Sequence, residues 1–330
     1  MFGKMVISIT KELEQQKKTS DKLSKVQNLS SLELVYYNNT KVAREIFHNT
    51  ISLDGKYHNI VLFDDVEIRV RLRHQDCEAF KFELIDSLIF DAICSLYSNN
   101  IQVFTIDMIA RIMYHDAHHR ISKKILNTIE FRIEAMCELQ IAIDIANEIA
   151  AREVIPKATS LQKARYCKFL QLETIATKYA DNGKVCFAYR FCRAPLLWEY
   201  ARYTKQIASC RYGAFHLEDH STSIESLLIL RYVHLRIAEM RNKNNHQHSK
   251  KISFEWVDSD HHVRGLLVSC GIDSTKYRNW NDKYRKICKL IEAYLDTLKN
   301  TSQKSEKIKS YKSYQKIGSR MIAGYEISFR

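Results

Sequence analysis

Residues 274–298 read STKYRNWNDKYRKICKLIEAYLDTL, and this stretch decides the fold class. Its aromatic and aliphatic side chains recur every three or four positions, which predicts one amphipathic helix that begins near Ser274. The predicted buried stripe consists of Tyr277, Trp280, Tyr284, Ile287, Ile291, Tyr294 and Leu298. Because the opposite face is basic at its start, the helix combines a core-facing stripe with a cationic surface.

The segments around this helix complete a unit of three helices and a terminal strand pair. Apolar spacing predicts a helix over residues 224–240, followed by a polar break at 242–251. A short segment at 253–267, for which Ser253 is a predicted capped start, is the expected second helix. After the long helix, Gly318 and Gly324 begin two predicted strands that end the chain.

The same order of elements is predicted roughly 150 residues earlier. Strands are expected at 60–63 and 66–72, a helix over 80–97, and a short helix over 106–114 with Thr105 as its N-cap. A third helix from Ile121 changes near residues 141–145 to the period of a strand. Its stripe is Ile121, Ile125, Ile129, Ile133 and Met136.

Three helices followed by a strand is the order of a winged helix-turn-helix. We therefore predict a mainly α chain with small β-wings (α+β), built from two tandem winged helix-turn-helix domains. Asn182 and Gly183 predict a tight hairpin turn, which is either a wing or a linker sheet, and Pro195 suits the first turn of a helix. The expected divisions are a basic, flexible N-terminal arm at 1–30, a first winged-helix domain with a preceding β element at 31–155, a linker or β-hairpin at 156–193, and a second winged-helix domain at 194–330.

The charge balance indicates a polyanionic partner. The chain of 330 residues has 51 Lys and Arg against 38 Asp and Glu, a formal charge of +13. No apolar run is long enough to span a bilayer, and residues 1–25 are too polar for a signal peptide. We therefore expect a cytoplasmic protein with no membrane partner. Nine cysteines without a C-x-x-C pair favour reduced, mostly buried thiols over a zinc site.

The third helix of each unit supplies the candidate DNA contacts, because a recognition helix presents its first residues to base edges while nearby cations hold phosphates. In the first unit the candidates, all expected off the buried stripe, are Arg120, Lys123, Lys124, Asn127 and Arg132. In the second unit they are Lys276, Arg278, Asn279, Asn281, Lys283, Arg285 and Lys286, and the terminal hairpin adds Lys312, Lys316 and Arg320. The alternatives are a solvated helix face and, for 299–320, a disordered linker.

Two histidine clusters raise the alternative of a metal phosphohydrolase, because they contain ligand-type side chains. They are His115, Asp116, His118 and His119, and Asp258, Asp260, His261 and His262. No spacing unites the two clusters, and the chain has no glycine-rich phosphate loop, Gly-x-Ser-x-Gly or His-Glu-x-x-His motif. We therefore expect no enzyme activity, no cofactor and no metal, and we expect the histidines to lie in solvated turns near the second and third helices of each unit.

Four segments resemble the replication initiator proteins of theta-replicating plasmids and related mobile elements, which have two winged-helix domains. The segments are RVRLRH at 69–74, APLLWEYA at 194–201, LRYVHLRIAEM at 230–240 and GYEI at 324–327. The resemblance implies sequence-specific binding of double-stranded DNA at repeated origin sites, local duplex opening and recruitment of host replication proteins. Self-association is a further expected interaction. No base-reading residue of the family transfers to a position here, and the hairpin between the domains is long for the family. A transcriptional regulator of the same fold is the alternative.

Overall fold

The computed structural model describes residues 25–26, 29, 32–48, 52–53, 58–60, 69–74, 80–144, 167–179, 185–218, 220, 222–241, 250–303, 306–316, 318 and 320–329. The helices are α1 (Lys41–His48), α2 (Leu84–Ser98), α3 (Ile106–Tyr114), α4 (Lys123–Glu138), α5 (Leu196–Tyr203), α6 (Ile224–Arg241), α7 (Leu266–Ser269) and α8 (Trp280–Asn300). The strands are β1 (Lys25–Val26), β2 (Leu34–Asn38), β3 (Ser52–Leu53), β4 (His58–Ile60), β5 (Arg69–His74), β6 (Phe80–Lys81), β7 (Val103–Phe104), β8 (Leu139–Asp144), β9 (Cys167–Lys168), β10 (Leu172–Tyr179), β11 (Val185–Phe191), β12 (Ile207–Arg211), β13 (Lys251–Ser253), β14 (Trp256–Val257), β15 (Val263–Arg264), β16 (Ser310–Gln315) and β17 (Ile322–Ser328).

The chain is a mixed α+β protein in which one order of elements occurs twice. The first unit is α2, β7, α3, α4 and the first hairpin, β10–β11, with β8 and β9 inserted between α4 and the hairpin. The second unit is α6, β13, α7, α8 and the second hairpin, β16–β17. The pairing order also repeats, because β11 lies between β10 and β7 while β17 lies between β16 and β13. In both units the last strand of the hairpin therefore joins it to the strand that follows the first helix.

Local sequence signals place the helices of the first unit. The Thr105 side chain accepts a hydrogen bond from the Met108 N–H at 3.3 Å, which confirms the predicted cap and the bounds of α3. Helix α4 begins two residues later than expected because the Ser122 hydroxyl caps it by accepting from the Ile125 N–H. Helix α2 begins at Leu84, since Phe80–Lys81 pairs with β3.

The expected second helix at 253–267 is wrong. This segment contains β13, β14 and β15, and only α7 at its end is helical. The Ser253 hydroxyl contacts the Tyr314 hydroxyl at 2.6 Å instead of capping a helix, and the Phe254 N–H donates to the Ala323 carbonyl. The chain turns into α7 at Gly265, whose φ of 122° suits glycine.

The long helix of the second unit begins at Trp280 rather than near Ser274. Ser274–Lys276 forms a short 3₁₀ helix capped by Asp273, and Asn279 then caps α8. Tyr277 therefore lies outside α8, although it still packs near Trp280 with ring centroids 6.0 Å apart. The predicted helix over 224–240 is confirmed by α6, and Pro195 lies immediately before α5 as its N-cap.

The predicted hairpin around Asn182 and Gly183 has described strands on both sides of the turn, while the turn itself lies outside the described residues. The strands pair in antiparallel register from Leu172↔Phe191 to Lys178↔Val185. Because β11 also pairs with β7, the hairpin extends the sheet of the first unit. Most of 1–30 and the central part of the predicted strands at 60–72 lie outside the described residues.

The two units meet across a buried junction. Strand β2 pairs with β12 from Leu34↔Arg211 to Asn38↔Ile207, and Trp198 of α5 lies edge-on to Tyr36 of β2. Beside these strands, Arg231 Nε of α6 lies 2.5 Å from Asp91 Oδ2 of α2. Both residues are buried, with Arg231 4% and Asp91 2% exposed. The apolar core is continuous across this junction. The domain boundaries given above stay a prediction.

Two further expectations concern the membrane and the cysteines. No helix in the described part of the chain is both long and apolar enough to cross a membrane. Seven cysteines whose side chains the structure describes are free, and four of them are buried: Cys94, Cys210, Cys270 and Cys288.

Candidate nucleic-acid interface

The start of α4 presents a basic, polar surface. Lys123, Lys124 and Asn127 are exposed on its first two turns, and Arg120 is exposed just before the Ser122 cap. The opposite face is buried through Ile129, Ile133 and Met136. The first turn of α4 has no acidic residue, so its cations and free backbone N–H groups together favour an anion.

The placement of Arg132 off the buried face is wrong. Its guanidinium is buried and donates from Nε to Asp86 Oδ1 at 2.7 Å and from Nη2 to the Lys81 carbonyl at 2.8 Å. Burial raises the pKa of the Asp86 carboxyl above its ordinary value, and the hydrogen bond and charge of Arg132 offset only part of this increase. Arg132 therefore balances a buried carboxylate at the start of α2, because α4 packs across that end of the helix.

The first hairpin has an apolar face that extends beyond the core. Tyr189 and Phe191 alternate on one face of β11, and both are buried near Phe104. Val185 and Phe187 continue the same alternation toward the turn, where they are 62% and 68% exposed. Their exposure was not predicted, since sequence alone does not show how far a strand extends past the core.

The first hairpin lies alongside α4. Burial raises the pKa of Tyr189 to about 12, with contributions from Glu130 and Glu134 of α4. Cys137 lies one turn later in α4, and the backbone N–H of Leu172 contacts it. Leu172 is the residue of β10 that pairs with Phe191 of β11. Positions from 191 to 185 therefore run toward the start of α4.

Phe131 is a third exposed apolar residue on this surface. It is 63% exposed and borders the same concavity as Lys123, Lys124 and Asn127. Its position off the isoleucine stripe is the sequence signal that could have identified it as a surface residue.

The start of α8 brings together most of the residues predicted for the second unit. Lys276, Arg278, Asn281, Arg285 and Lys286 are exposed at or before its first two turns. Arg285 also pairs with Asp282 at 2.8 Å, but both side chains are largely exposed, so this ion pair contributes little to stability. The surface resembles the start of α4 in charge and in position within its unit.

Two predicted contacts in this group have structural partners instead. Asn279 accepts from the Asp282 N–H at 3.3 Å, and its amide donates to the Asp282 carboxylate, so its polar groups cap α8. Lys283 forms an ion pair with Glu225 of α6 and lies over the Tyr277 ring. Both side chains hold the start of α8 in place, because each joins it to a neighbouring turn or helix.

The second hairpin presents cations beside α8. Lys316 and Arg320 are exposed near its turn, whereas Lys312 pairs with Glu326 on the neighbouring strand at 2.9 Å. The Tyr284 hydroxyl of α8 donates to the Ile322 carbonyl of β17, which fixes the hairpin against the helix.

Of the first histidine cluster, His118 is exposed in a turn as expected, whereas His115 is buried. His115 is 3% exposed and ends α3 with a left-handed φ of 53°. Its Nε2 lies 2.7 Å from the Tyr37 hydroxyl, and burial lowers its pKa from 6.5 to about 3. Nearby His234 contacts the Tyr294 hydroxyl, and burial lowers its pKa to about 4. These histidines belong to the junction core.

The second histidine cluster lies in the exposed turn between β14 and β15, just before α7, as expected. Asp258, Asp260 and His262 have ligand-type atoms within 4.8 Å of one another. The Asp258 carboxylate accepts from the Asp260 and His262 N–H groups and from Arg264 Nε. These hydrogen bonds account for the closeness of the three residues as a turn motif.

No protein-family model matches the sequence, and no curated protein matches it. Among solved structures, the chain is similar to domains 2 and 3 of RctB, with a TM-score of 0.38 and 13% identity over 83% of this chain and 91% of that chain. A structure of selenomethionine derivatives of the same two RctB domains has a TM-score of 0.36 at 13% identity, over 83% of this chain and 90% of that chain.

Proposed function

We propose that the chain is a sequence-specific, double-stranded DNA-binding protein that initiates replication at repeated origin sites of a plasmid or mobile element. We further propose that both units are winged helix-turn-helix domains. The carrying observation is the duplicated order of helix, strand, helix, helix and hairpin, with the same strand order in each sheet. A third helix with a basic start lies beside a hairpin in both units.

The geometry suits two contacts on one duplex. In a winged helix-turn-helix, the recognition helix enters the major groove and the adjacent hairpin lies against the backbone or the neighbouring groove. Here α4 and α8 would be the two recognition helices. The buried junction joins the units, so one chain can contact two successive major grooves without an extended linker.

The exposed residues divide into two roles. Asn127, Arg278 and Asn281 have the amide and guanidinium groups that pair with base edges. Cations around them would hold phosphates and set the register, as phosphate contacts position a protein without reading sequence. These cations are Arg120, Lys123, Lys124, Lys276, Arg285, Lys286, Lys316 and Arg320.

Binding rather than catalysis is supported by the chemistry of these surfaces. Lysine, arginine and asparagine side chains recognise phosphates and bases. The histidines with lowered pKa values are buried in the junction, and the Asp258 carboxylate is engaged by its own turn. We therefore propose that the protein acts on DNA without an enzymatic step of its own.

The salt dependence of binding tests this proposal. We expect the double variant Lys123→Ala/Lys124→Ala to lower the slope of log K against log salt by about 2, since each phosphate neutralised contributes about 0.9. Lys309→Ala is the matched control, because this exposed lysine precedes β16 at the end of the second hairpin away from its turn. A slope near zero for the unmodified chain on generic duplex would sink the proposal.

Selection of bound sites from the DNA beside the gene separates the biological roles. An array of direct repeats next to an A·T-rich stretch supports initiation, whereas a single promoter palindrome supports a transcriptional regulator.

A further inference from the structure

The first hairpin exposes apolar side chains on its last strand, whereas the second has cations near its turn. The second hairpin has Lys316 and Arg320 near its turn. The first hairpin instead has Val185 and Phe187 exposed on one face of β11. Val185 and Phe187 are neighbours on one face of the strand, and an exposed apolar pair of this kind is a candidate contact surface.

A cation lies beside this apolar pair. Lys178 is exposed and lies directly opposite Val185 in the hairpin register. Lys123 and Lys124 are exposed at the start of α4, and the hairpin runs in that direction. The carboxylates of Glu130 and Glu134 lie near Tyr189, toward the buried end of the strand. The apolar pair therefore has positive charge beside it on β10, which suits a groove bounded by two phosphate strands.

We propose that Phe187, with Val185 beside it, is a wedge that the first hairpin inserts between base pairs from the minor groove; this inference rests on the proposed DNA-binding function. With α4 in the major groove, the hairpin alongside it is placed over the adjacent minor groove. Apolar side chains that enter this groove partly unstack a base step and bend the duplex. Flexible pyrimidine–purine steps such as TA are the preferred site of entry.

The charge distribution favours DNA over a second copy of this chain. A symmetric contact through this surface would bring Lys123, Lys124 and Lys178 of one copy against the same residues of the other. The like charges would oppose that contact, whereas phosphates attract them. The proposal thus commits to duplex DNA as the occupant of the surface.

The test uses the full chain and short A·T-rich duplexes that contain 2-aminopurine at a TA step. We expect binding of the unmodified chain to raise the 2-aminopurine fluorescence, because the base becomes unstacked. A mismatch at the same step should strengthen binding by about tenfold, since part of the unstacking cost is already met. Phe187→Ala should lose both effects, and Phe187→Leu should retain most of them. Trp256→Ala is the matched control, because this aromatic residue is 50% exposed on the β14–β15 hairpin of the second unit.

Three results would overturn the wedge. One is an unchanged fluorescence response and mismatch preference in Phe187→Ala. Another is a Phe187→Ala chain that binds duplex DNA and raises the fluorescence normally, but sediments as a monomer while the unmodified chain sediments as a dimer. That result would assign the surface to self-association. The third is duplex binding by the unmodified chain with no fluorescence change. In that case the wedge fails while the proposed function survives, whereas the absence of any duplex binding would remove both.

Discussion

Asn279 and Asn281 are two positions apart, yet they have different structural roles. Asn279 caps α8 through the Asp282 N–H, while Asn281 is exposed on the first turn. Only a side chain without a structural partner can form base contacts at no cost to the fold. The two asparagines therefore form a matched pair for separating recognition from stability.

We predict that Asn281→Ala weakens binding to a selected site by about 1–3 kcal/mol and changes binding to random DNA little. Asn279→Ala should instead lower the free energy of unfolding by about 1 kcal/mol, because α8 loses its cap. Quantitative binding on both DNAs, together with urea unfolding, separates the two. Equal loss on selected and random DNA for Asn281→Ala would reassign it to backbone contact.

The buried histidines give the second prediction at this scale. The pKa values of His115 and His234 are lowered from 6.5 to about 3 and about 4, so the unfolded chain binds protons first as the pH falls. Their contribution is complete above pH 6.5 and is lost as the pH drops below that value. Each histidine should cost about 1.4 kcal/mol of unfolding free energy per pH unit between about pH 6 and 4.5.

Urea unfolding at a series of pH values measures this slope. His115→Asn should remove the contribution of one histidine, and asparagine tolerates the left-handed φ at this position. His261→Gln, on an exposed turn, is the control. A slope in His115→Asn equal to that of the unmodified chain would contradict the prediction.

Local residue roles could be predicted better than distant ones. Thr105 was identified as a cap because its partner is three residues away. Asn279 and Asp282 have the same spacing. The aromatic stripe includes Tyr277, however, so the predicted helix start near Ser274 came before the observed start at Trp280. Arg132 was misplaced because its partner Asp86 is 46 residues away, and the periodicity of one helix says nothing about a carboxylate on another.

At the scale of elements, the segment between β13 and α7 shows why short helices are hard to predict. Ser253, Trp256 and Val257 suit a capped helix and a strand about equally, since apolar runs this short have no distinct period. The pairing of Phe254 with Ala323 of β17 decides the outcome, and that strand lies some 70 residues later. The long helices α6 and α8 have several turns of consistent spacing, so their existence could be predicted.

Gly265 gives the prediction at this scale. An added Cβ would lie 2.5 Å from the Phe254 carbonyl oxygen at a φ of +122°. Gly265→Ala should therefore lower the free energy of unfolding by about 2–4 kcal/mol and displace α7. Gly318→Ala is the control, because its φ is +79° but no neighbouring atom lies within 4 Å. The strain there should cost about 1 kcal/mol. Similar losses in both variants would show that the close approach to Phe254 is unimportant.

At the scale of the whole molecule, the junction determines how the units behave together. The separate apolar stripes of the two units, taken alone, indicate units that fold independently. In the structure, the Asp91–Arg231 ion pair and the β2–β12 pairing connect the two units. Both join residues that are far apart in sequence, so no local sequence pattern predicts them. The core positions of each helix were predictable, whereas the contact between units was not.

We predict that Arg231→Met lowers the free energy of unfolding by about 3–5 kcal/mol, because the Asp91 carboxylate stays buried without its partner. The double variant Asp91→Leu/Arg231→Met should recover part of this loss, because the buried Asn38 N–H then lacks its acceptor, Asp91 Oδ1. Arg190→Met is the matched control, since Arg190 pairs with Glu173 at the surface and this pair is worth less than about 1 kcal/mol. Urea unfolding of the four proteins gives the comparison. Equal losses of unfolding free energy in Arg231→Met and Arg190→Met would show that breaking the buried ion pair costs no more than breaking the surface pair.

The pairing of β2 with β12 also has a consequence for synthesis on the ribosome. Tyr37 of β2 and Cys210 beside it are 173 residues apart, so β2 leaves the ribosome roughly 10–35 s before its partner at typical elongation rates. During that interval Val35 and Tyr37, which are each 2% exposed in the finished fold, have no strand to cover them. A nascent chain arrested before β12 should therefore be cut readily by protease near β2 and should recruit chaperones. A chain arrested after β12 has emerged should protect the same segment.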